Sequence, residues 1–187
     1  MPYRQTQFYA GGYYHLYNRG NDHQNIFFER ENYLYFLRQM RKYFKTDVVD
    51  IVAYCLMPNH YHLLIFLKGA GLAKLMQPFL LSYTKAINER YSRVGALFQG
   101  RFKAIQVDKE EYLLQLSRYI HLNPVAAGLV KRPADWEFSS YRDFIGARNG
   151  TLAKPDVVLS YFPSRDEYRK FVESSVDQKA IEHLMVD

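Results

Sequence analysis

Apolar residues recur along this chain with two periods, and the switches between them divide it into elements. Gly12 to Asn18 is a tyrosine-rich alternation that reads as a first strand, closed by the turn-like Asn18-Arg19-Gly20-Asn21-Asp22. Glu31 to Lys45 sets Leu34, Leu37, Met40 and Phe44 at helical spacing, with Arg38, Arg41, Lys42 and Lys45 making the helix basic. Val48 to Leu56 and His60 to Leu67 are apolar runs joined by Pro58-Asn59, the spacing of a hairpin. After Gly69-Ala70-Gly71 a second long helix covers Leu72 to Tyr91, where Pro78 predicts either a kink or a later regular start. Phe102 to Val107 is the last strand, entered through Gln99-Gly100-Arg101. This order predicts an α+β fold: a ferredoxin-like antiparallel sheet with two long helices on one face and the other face left for a site.

A third helix belongs near that other face. Asp108 with Glu111 resembles a capping box and Pro124 marks an end, which predicts a helix from about Lys109 to Asn123. At about 100° per residue, Tyr112, Leu116, Tyr119 and Asn123 share one stripe, and His121 lies nearly opposite Tyr119. Trp136 to Gly146 reads as a segment packed on the core. Asn149-Gly150 and Lys154-Pro155 read as a linker, and Tyr161 to Glu173 as an amphipathic helix presenting Tyr161, Phe162, Tyr168, Phe171 and Val172. The predicted organisation is a main domain over residues 1–148 and a C-terminal linker with a short helical extension over 149–187.

Charge and composition narrow the partner. The 187 residues carry a formal net charge of +6, which favours a polyanion such as nucleic acid. Seventeen tyrosines and thirteen phenylalanines supply rings that can stack on unpaired bases, although most belong to the core. The single cysteine, Cys55, excludes an internal disulfide framework and a multi-cysteine zinc cluster. No apolar run is long enough to span a bilayer, and Met-Pro-Tyr-Arg-Gln-Thr does not open a signal peptide, so the expectation is a cytoplasmic protein without a membrane partner.

The candidate chemistry begins at Met57-Pro58-Asn59-His60-Tyr61-His62-Leu63-Leu64-Ile65. On a strand, side chains i and i+2 share a face about 6 to 7 Å apart, so His60 and His62 can converge on one ion while Tyr61 faces away. Half-buried histidines without a ligand role are the alternative at this stage. His15, with Tyr13 and Tyr17 on its own face, is a packed histidine at the border of such a site. Tyr119 and Asn123 approach together from one helix stripe, the amide oxygen as a third ligand and the phenol as a nucleophile. The same i, i+4 spacing recurs at Tyr35 and Gln39, beside Lys42 and off the apolar stripe of their helix.

Taken in order, Asn18-Arg19-Gly20, Met-Pro-Asn-His-Tyr-His-Leu-Leu-Ile, Gln-Gly-Arg-Phe, Arg-Tyr-Ile-His-Leu-Asn-Pro-Val-Ala-Ala-Gly at 118–128 and Trp136-Glu137-Phe138-Ser139-Ser140-Tyr141 resemble the REP-associated tyrosine transposases, of the single-tyrosine HUH transposase superfamily. The resemblance spans about Tyr13 to Tyr141. It implies that residues 1–148 are an HUH transposase catalytic domain, with His60, His62 and Asn123 as ligands of Mg²⁺ or Mn²⁺ and Tyr119 as nucleophile. The implied substrate is single-stranded DNA with a palindromic hairpin, cut by a monomer or homodimer through a 5'-phosphotyrosine link. Lys85, Arg90, Arg93, Arg101 and Lys103 are the cations placed along that DNA. Two positions depart from the pattern: Tyr61 stands where an aliphatic residue is usual, and Pro78 interrupts the second long helix. The rival classes are a hairpin-binding regulator that does not cut and a ferredoxin-like RNA-binding module.

Overall fold

The computed structural model describes residues 7–44 and 46–174, so Lys45 and the last thirteen residues of the predicted extension lie outside the described residues. Strands β1 (Gly12–Arg19), β2 (Val49–Met57), β3 (His60–Leu67) and β4 (Lys103–Val107) form one antiparallel sheet in the order β2-β3-β1-β4. With α1 (Arg30–Tyr43) between β1 and β2 and α2 (Leu72–Arg90) between β3 and β4, this is the ferredoxin-like order the periodicities predict.

Strand alternation sorts the side chains between two cores. Tyr14, Leu16, Tyr61, Leu63, Ile65 and Leu67 face α1 and α2, meeting Phe36, Met40, Phe79 and Tyr83. Tyr61 is fully buried there with its ring 5.3 Å from that of Phe36, which accounts for an aromatic residue between the two histidines. Burying each such ring contributes about 1.5–3 kcal/mol. In β2 the register shifts between Ile51 and Ala53. The bulge keeps Val49 and Ile51 before it and Tyr54 and Leu56 after it on the same face, despite the change of parity.

The opposite face carries Ala53, Cys55, Met57, Leu64 and Val107 against α3 (Glu110–Ala126). This helix differs from the sequence expectation at both ends. Its N-cap is Lys109 with no side-chain cap bond, and Glu110 and Glu111 occupy the first turn, where the helix dipole favours them. Pro124 does not end it. The proline forgoes only its own N–H bond, and the helix closes beyond it through Ala127 N to Asn123 O (2.9 Å) and Leu129 N to Pro124 O (2.9 Å), with Gly128 left-handed at φ 69°. Likewise α2 starts at Leu72 and runs through Pro78, which lies on its exposed side.

The segments after α3 close the second core. Phe138 to Ser140 lie along the outer edge of β2, with Leu56 N bonded to Phe138 O (2.9 Å) and Ser140 N to Tyr54 O (3.0 Å). The predicted linker also lies on that edge: Lys154 N bonds Ile51 O at 2.8 Å. The helix predicted over Tyr161 to Glu173 starts later, as α6 (Arg165–Glu173), and a separate short helix, α5 (Asp156–Leu159), precedes Tyr161; both join α4 (Tyr141–Phe144) and α3 in the second core. Pro163 disfavours helical backbone at Phe162, and Ser164 caps α6 by accepting from Glu167 N at 3.2 Å.

Tyr168 of α6 fastens this layer. Its hydroxyl lies 2.7 Å from His121 Nδ1 and 3.2 Å from Ser117 Oγ, both on α3, while His121 Nε2 meets Ser140 Oγ at 2.8 Å. His121 thus points away from Tyr119, as the helical angles predict. Tyr168→Ala should lower stability by about 3–5 kcal/mol, the range for truncating a buried ring, and Tyr168→Phe by distinctly less. Urea unfolding followed by circular dichroism checks this; equal losses for the two variants would mean that the hydroxyl network, not the ring, carries the contact.

Candidate metal and nucleophile site

The sheet register gathers the candidate residues. Across β1 and β3, Arg19 lies opposite His60 and Tyr17 opposite His62; across β1 and β4, Tyr17 lies opposite Lys103. Directly opposed residues share a face, so these five side chains form one patch on the face that carries α3. The stripe of α3 predicted from its angles then brings Tyr119 and Asn123 over the patch. Asn123 Oδ1 is 3.2 Å from His60 Nε2, and Asn123 Nδ2 is 3.4 Å from His62 Nε2. The Tyr119 ring stands edge-on to His62, with centroids 5.3 Å apart, and 6.4 Å from that of His15.

Hydrogen-bond logic tests whether these residues suit an ion. His60 Nδ1 contacts Asn59 Oδ1 at 2.7 Å, a bond that places the hydrogen on Nδ1 and turns the Nε2 lone pair towards Asn123 Oδ1. With the hydrogen on Nδ1, that lone pair and the Asn123 amide oxygen can both be offered to a cation. His62 meets His15 Nε2 through its own Nδ1 at 2.9 Å, which leaves Nε2 on the side of Asn123. His15 therefore orients His62 as an outer-shell partner orients a metal ligand. Its own Nδ1 is buried without a hydrogen-bond partner among the described residues.

Burial makes both inner histidines poor bases. It pushes His15 down to about 3, and it pulls His62 well below the usual imidazole range, with the neighbouring His15 and His60 adding to the effect. Both imidazoles are neutral at neutral pH, the form that binds a metal ion. Among the described residues no three His, Cys, Asp or Glu side chains group as metal ligands. The donor set is then two imidazoles and one amide oxygen, which leaves coordination positions for water and phosphate oxygens on a divalent ion.

Two of the motifs noted separately in the sequence dock on one another beside this patch. Asn18 Nδ2 donates to Gly100 O at 3.2 Å, Gln99 N to Arg19 O at 2.9 Å, and Arg19 Nε to Gln99 Oε1. Gly20 admits no side chain, since a Cβ there would come within 2.0 Å of Gln24 O. Tyr17, Arg19 and Gln99 consequently wall a cleft next to His60 and His62. None of the three was singled out for the site from the sequence, although Tyr17 shares the parity of His15 and the other two sit in the quoted motifs.

Of the five cations assigned to DNA, Lys103 lines this cleft. Arg101 is exposed just before β4. Lys85 and Arg90 lie on α2, in the layer across the sheet from the histidines, and Arg90 pairs with Glu29 at 2.5 Å. Arg93 is half-buried against Gln24 and the ring of Phe28. Tyr35, the alternative nucleophile, is on α1 with its ring 6.1 Å from that of Tyr83, in the same far layer.

Residues 9–123 match the family model described as IS200-like transposase. A curated protein of Haemophilus influenzae, described as a REP-associated tyrosine transposase, is 29% identical over 103 residues, covering 49% of this chain and 58% of that protein. The chain thus matches little more than half the length of that relative. A solved structure of a REP-associated tyrosine transposase bound to a REP hairpin superimposes with a TM-score of 0.67 at 17% identity, over 82% of this chain and 98% of the other.

Proposed function

The chain belongs to the IS200-like transposase family, and from that premise we propose that it is a divalent-metal-dependent nuclease and strand transferase acting on single-stranded DNA beside a palindromic hairpin. The observation that carries this reading is the convergence of His60, His62 and Asn123 within 3.4 Å contacts beneath the Tyr119 ring. A single protein side of the sheet thereby offers a metal-ligand set and a nucleophile together.

The phenol of Tyr119 attacks the scissile phosphorus, the bond from phosphorus to the 3' oxygen breaks, and the phenolic proton is lost as the leaving oxygen becomes a 3' hydroxyl. The product is a 5'-phosphotyrosine link on Tyr119, which conserves phosphodiester energy for rejoining to another strand. A phenol with pKa near 10 is almost wholly protonated at neutral pH, so the step needs a cation nearby. His60, His62 and Asn123 would hold Mg²⁺ or Mn²⁺, which when bound polarises the scissile phosphate and stabilises charge on the leaving oxygen. His15 keeps His62 in the tautomer that ligates. Burial of α3 against the second core fixes Tyr119 relative to the histidines.

The middle of the α3 face carries His60, His62 and Asn123 where an RNA platform of this fold needs a pair of open rings, and this favours the nuclease reading. The test is a cleavage assay on hairpin-bearing single strands taken from the flanks of the chain's own gene, with Mg²⁺ or Mn²⁺. The expected result is a free 3' hydroxyl and label from the 3' side of the cut retained on denatured protein. Binding without any cut or adduct would establish the non-cutting regulator instead.

Affinity should fall steeply with salt, by a log–log slope of about 0.7 per single-strand phosphate neutralised. Arg101→Ala should reduce that slope, as measured by fluorescence anisotropy between low and physiological salt. A salt-independent affinity would point to a partner other than a polyanion.

A further inference from the structure

We propose that the cleft walled by Tyr17, Arg19, Gln99 and Lys103 is a site for one unpaired nucleotide adjoining the cleaved phosphate, which holds the base on Tyr17 and selects guanine or thymine, the bases with a keto oxygen at the 6 or 4 position. The proposal rests on the nuclease reading above and specifies how that site reads its substrate.

Position comes first. Tyr17 and Arg19 are the direct cross-strand neighbours of His62 and His60, so a nucleotide in this cleft lies one step along the strand from a phosphate held at the histidines. The Tyr17 ring is half-buried, with the His15 ring 5.0 Å away and Lys103 Nζ 5.8 Å from its centroid. It is thus a fixed ring with the ammonium of an exposed lysine over it, which a base stacking there displaces. A base can stack there while Lys103 meets the adjoining phosphate, the combination of aromatic face and cation that binds single strands. Among the described residues no carboxylate lines the cleft to repel that phosphate.

The selecting edge follows from hydrogen-bond roles. Arg19 Nε donates to Gln99 Oε1, which takes one of the two lone pairs of that oxygen. What the pair then presents is chiefly donors, the Arg19 terminal nitrogens and the Gln99 amide NH₂. Guanine O6 and N7, or thymine O4, accept from such an edge, whereas the amino groups of adenine and cytosine oppose it. The edge is built in advance. Asn18 to Gly100 O (3.2 Å), Gln99 N to Arg19 O (2.9 Å) and Gly20 N to Asn59 O (2.7 Å) fix the two segments, so ordering on binding costs little.

The experiment uses the full chain carrying Tyr119→Phe, so that binding is read without cutting, and hairpin-bearing strands from the flanks of its gene. Each unpaired position is made abasic in turn, then varied through the four bases, with affinity measured by fluorescence anisotropy in Mg²⁺. One position beside the cut should lose about tenfold when abasic, and guanine or thymine there should bind several-fold better than adenine or cytosine. Adding Tyr17→Ala should erase the abasic effect at that position and no other, and Tyr17→Trp should keep it. Gln99→Glu, an exposed change that replaces donors by acceptors, should abolish or reverse the base preference. Tight hairpin binding in which no abasic position is coupled to Tyr17 overturns this site alone. Failure to bind any hairpin overturns the nuclease reading and this site with it.

Discussion

Tyr119→Phe should eliminate the covalent protein–DNA adduct and cut strand cleavage by at least about 10³-fold, which is about 4 kcal/mol on the barrier. The expected loss is this large because in the proposed reaction the hydroxyl oxygen itself becomes part of the bond to phosphorus, and no rearranged neighbour replaces it. The ring packs edge-on to His62 and the residue is largely buried, so removal of one oxygen leaves the packing of α3 in place. The measurement uses DNA labelled on the 3' side of the cut, with Mg²⁺ or Mn²⁺, and counts label on denatured protein. Tyr35→Phe is the control, because Tyr35 sits across the sheet in the α1 and α2 layer. An adduct that survives Tyr119→Phe and vanishes with Tyr35→Phe would reverse the assignment.

His60→Ala should abolish metal-dependent cleavage, by roughly 10²–10³-fold, while leaving hairpin affinity within a small factor. The imidazole contacts Asn59 and Asn123 at the first residue of β3 and is not among the residues that secure a core. Its loss removes one of the three proposed ligand positions and opens no buried cavity. Binding of Mn²⁺, followed by paramagnetic resonance of the free ion, supplies a readout independent of cutting and should weaken in parallel. Unchanged cleavage in this variant would remove His60 from the metal site.

The parts of this molecule that were legible in the sequence are those written in a period. Alternation in β1, β2 and β3 and the helical stripe of α3 fix which side chains share a face, and that suffices to bring His60, His62, Tyr119 and Asn123 together. Helix ends were less legible. Pro124 was read as a stop, yet one missing N–H is a small loss for a helix whose flank is already buried, and the helix continues to Ala126. Pro163 was passed over inside an apolar pattern, although it and Ser164 set the start of α6. What a periodicity cannot carry is register. The placing of Tyr17 and Arg19 beside the histidines depends on how β1 slides against β3, which is settled by contacts across the sheet and not within either strand. His15 was noted as bordering the site, and only the packed sheet reveals that it orients His62.

The bulge in β2 bears on how this sequence can drift. Val52 is one residue of length without a partner in the ladder, and it lets one strand present odd-numbered residues to α1 and α2 before it and even-numbered ones after it. Exchanges among Val, Ile and Leu along β2 preserve that arrangement. Loss of Val52 itself would also preserve it, because the ladder then alternates plainly, with Val49, Ile51, Tyr54 and Leu56 still towards α1 and α2 and Ala53, Cys55 and Met57 still towards α3. Descent can therefore shorten this strand by one residue at the bulge without turning a side chain over.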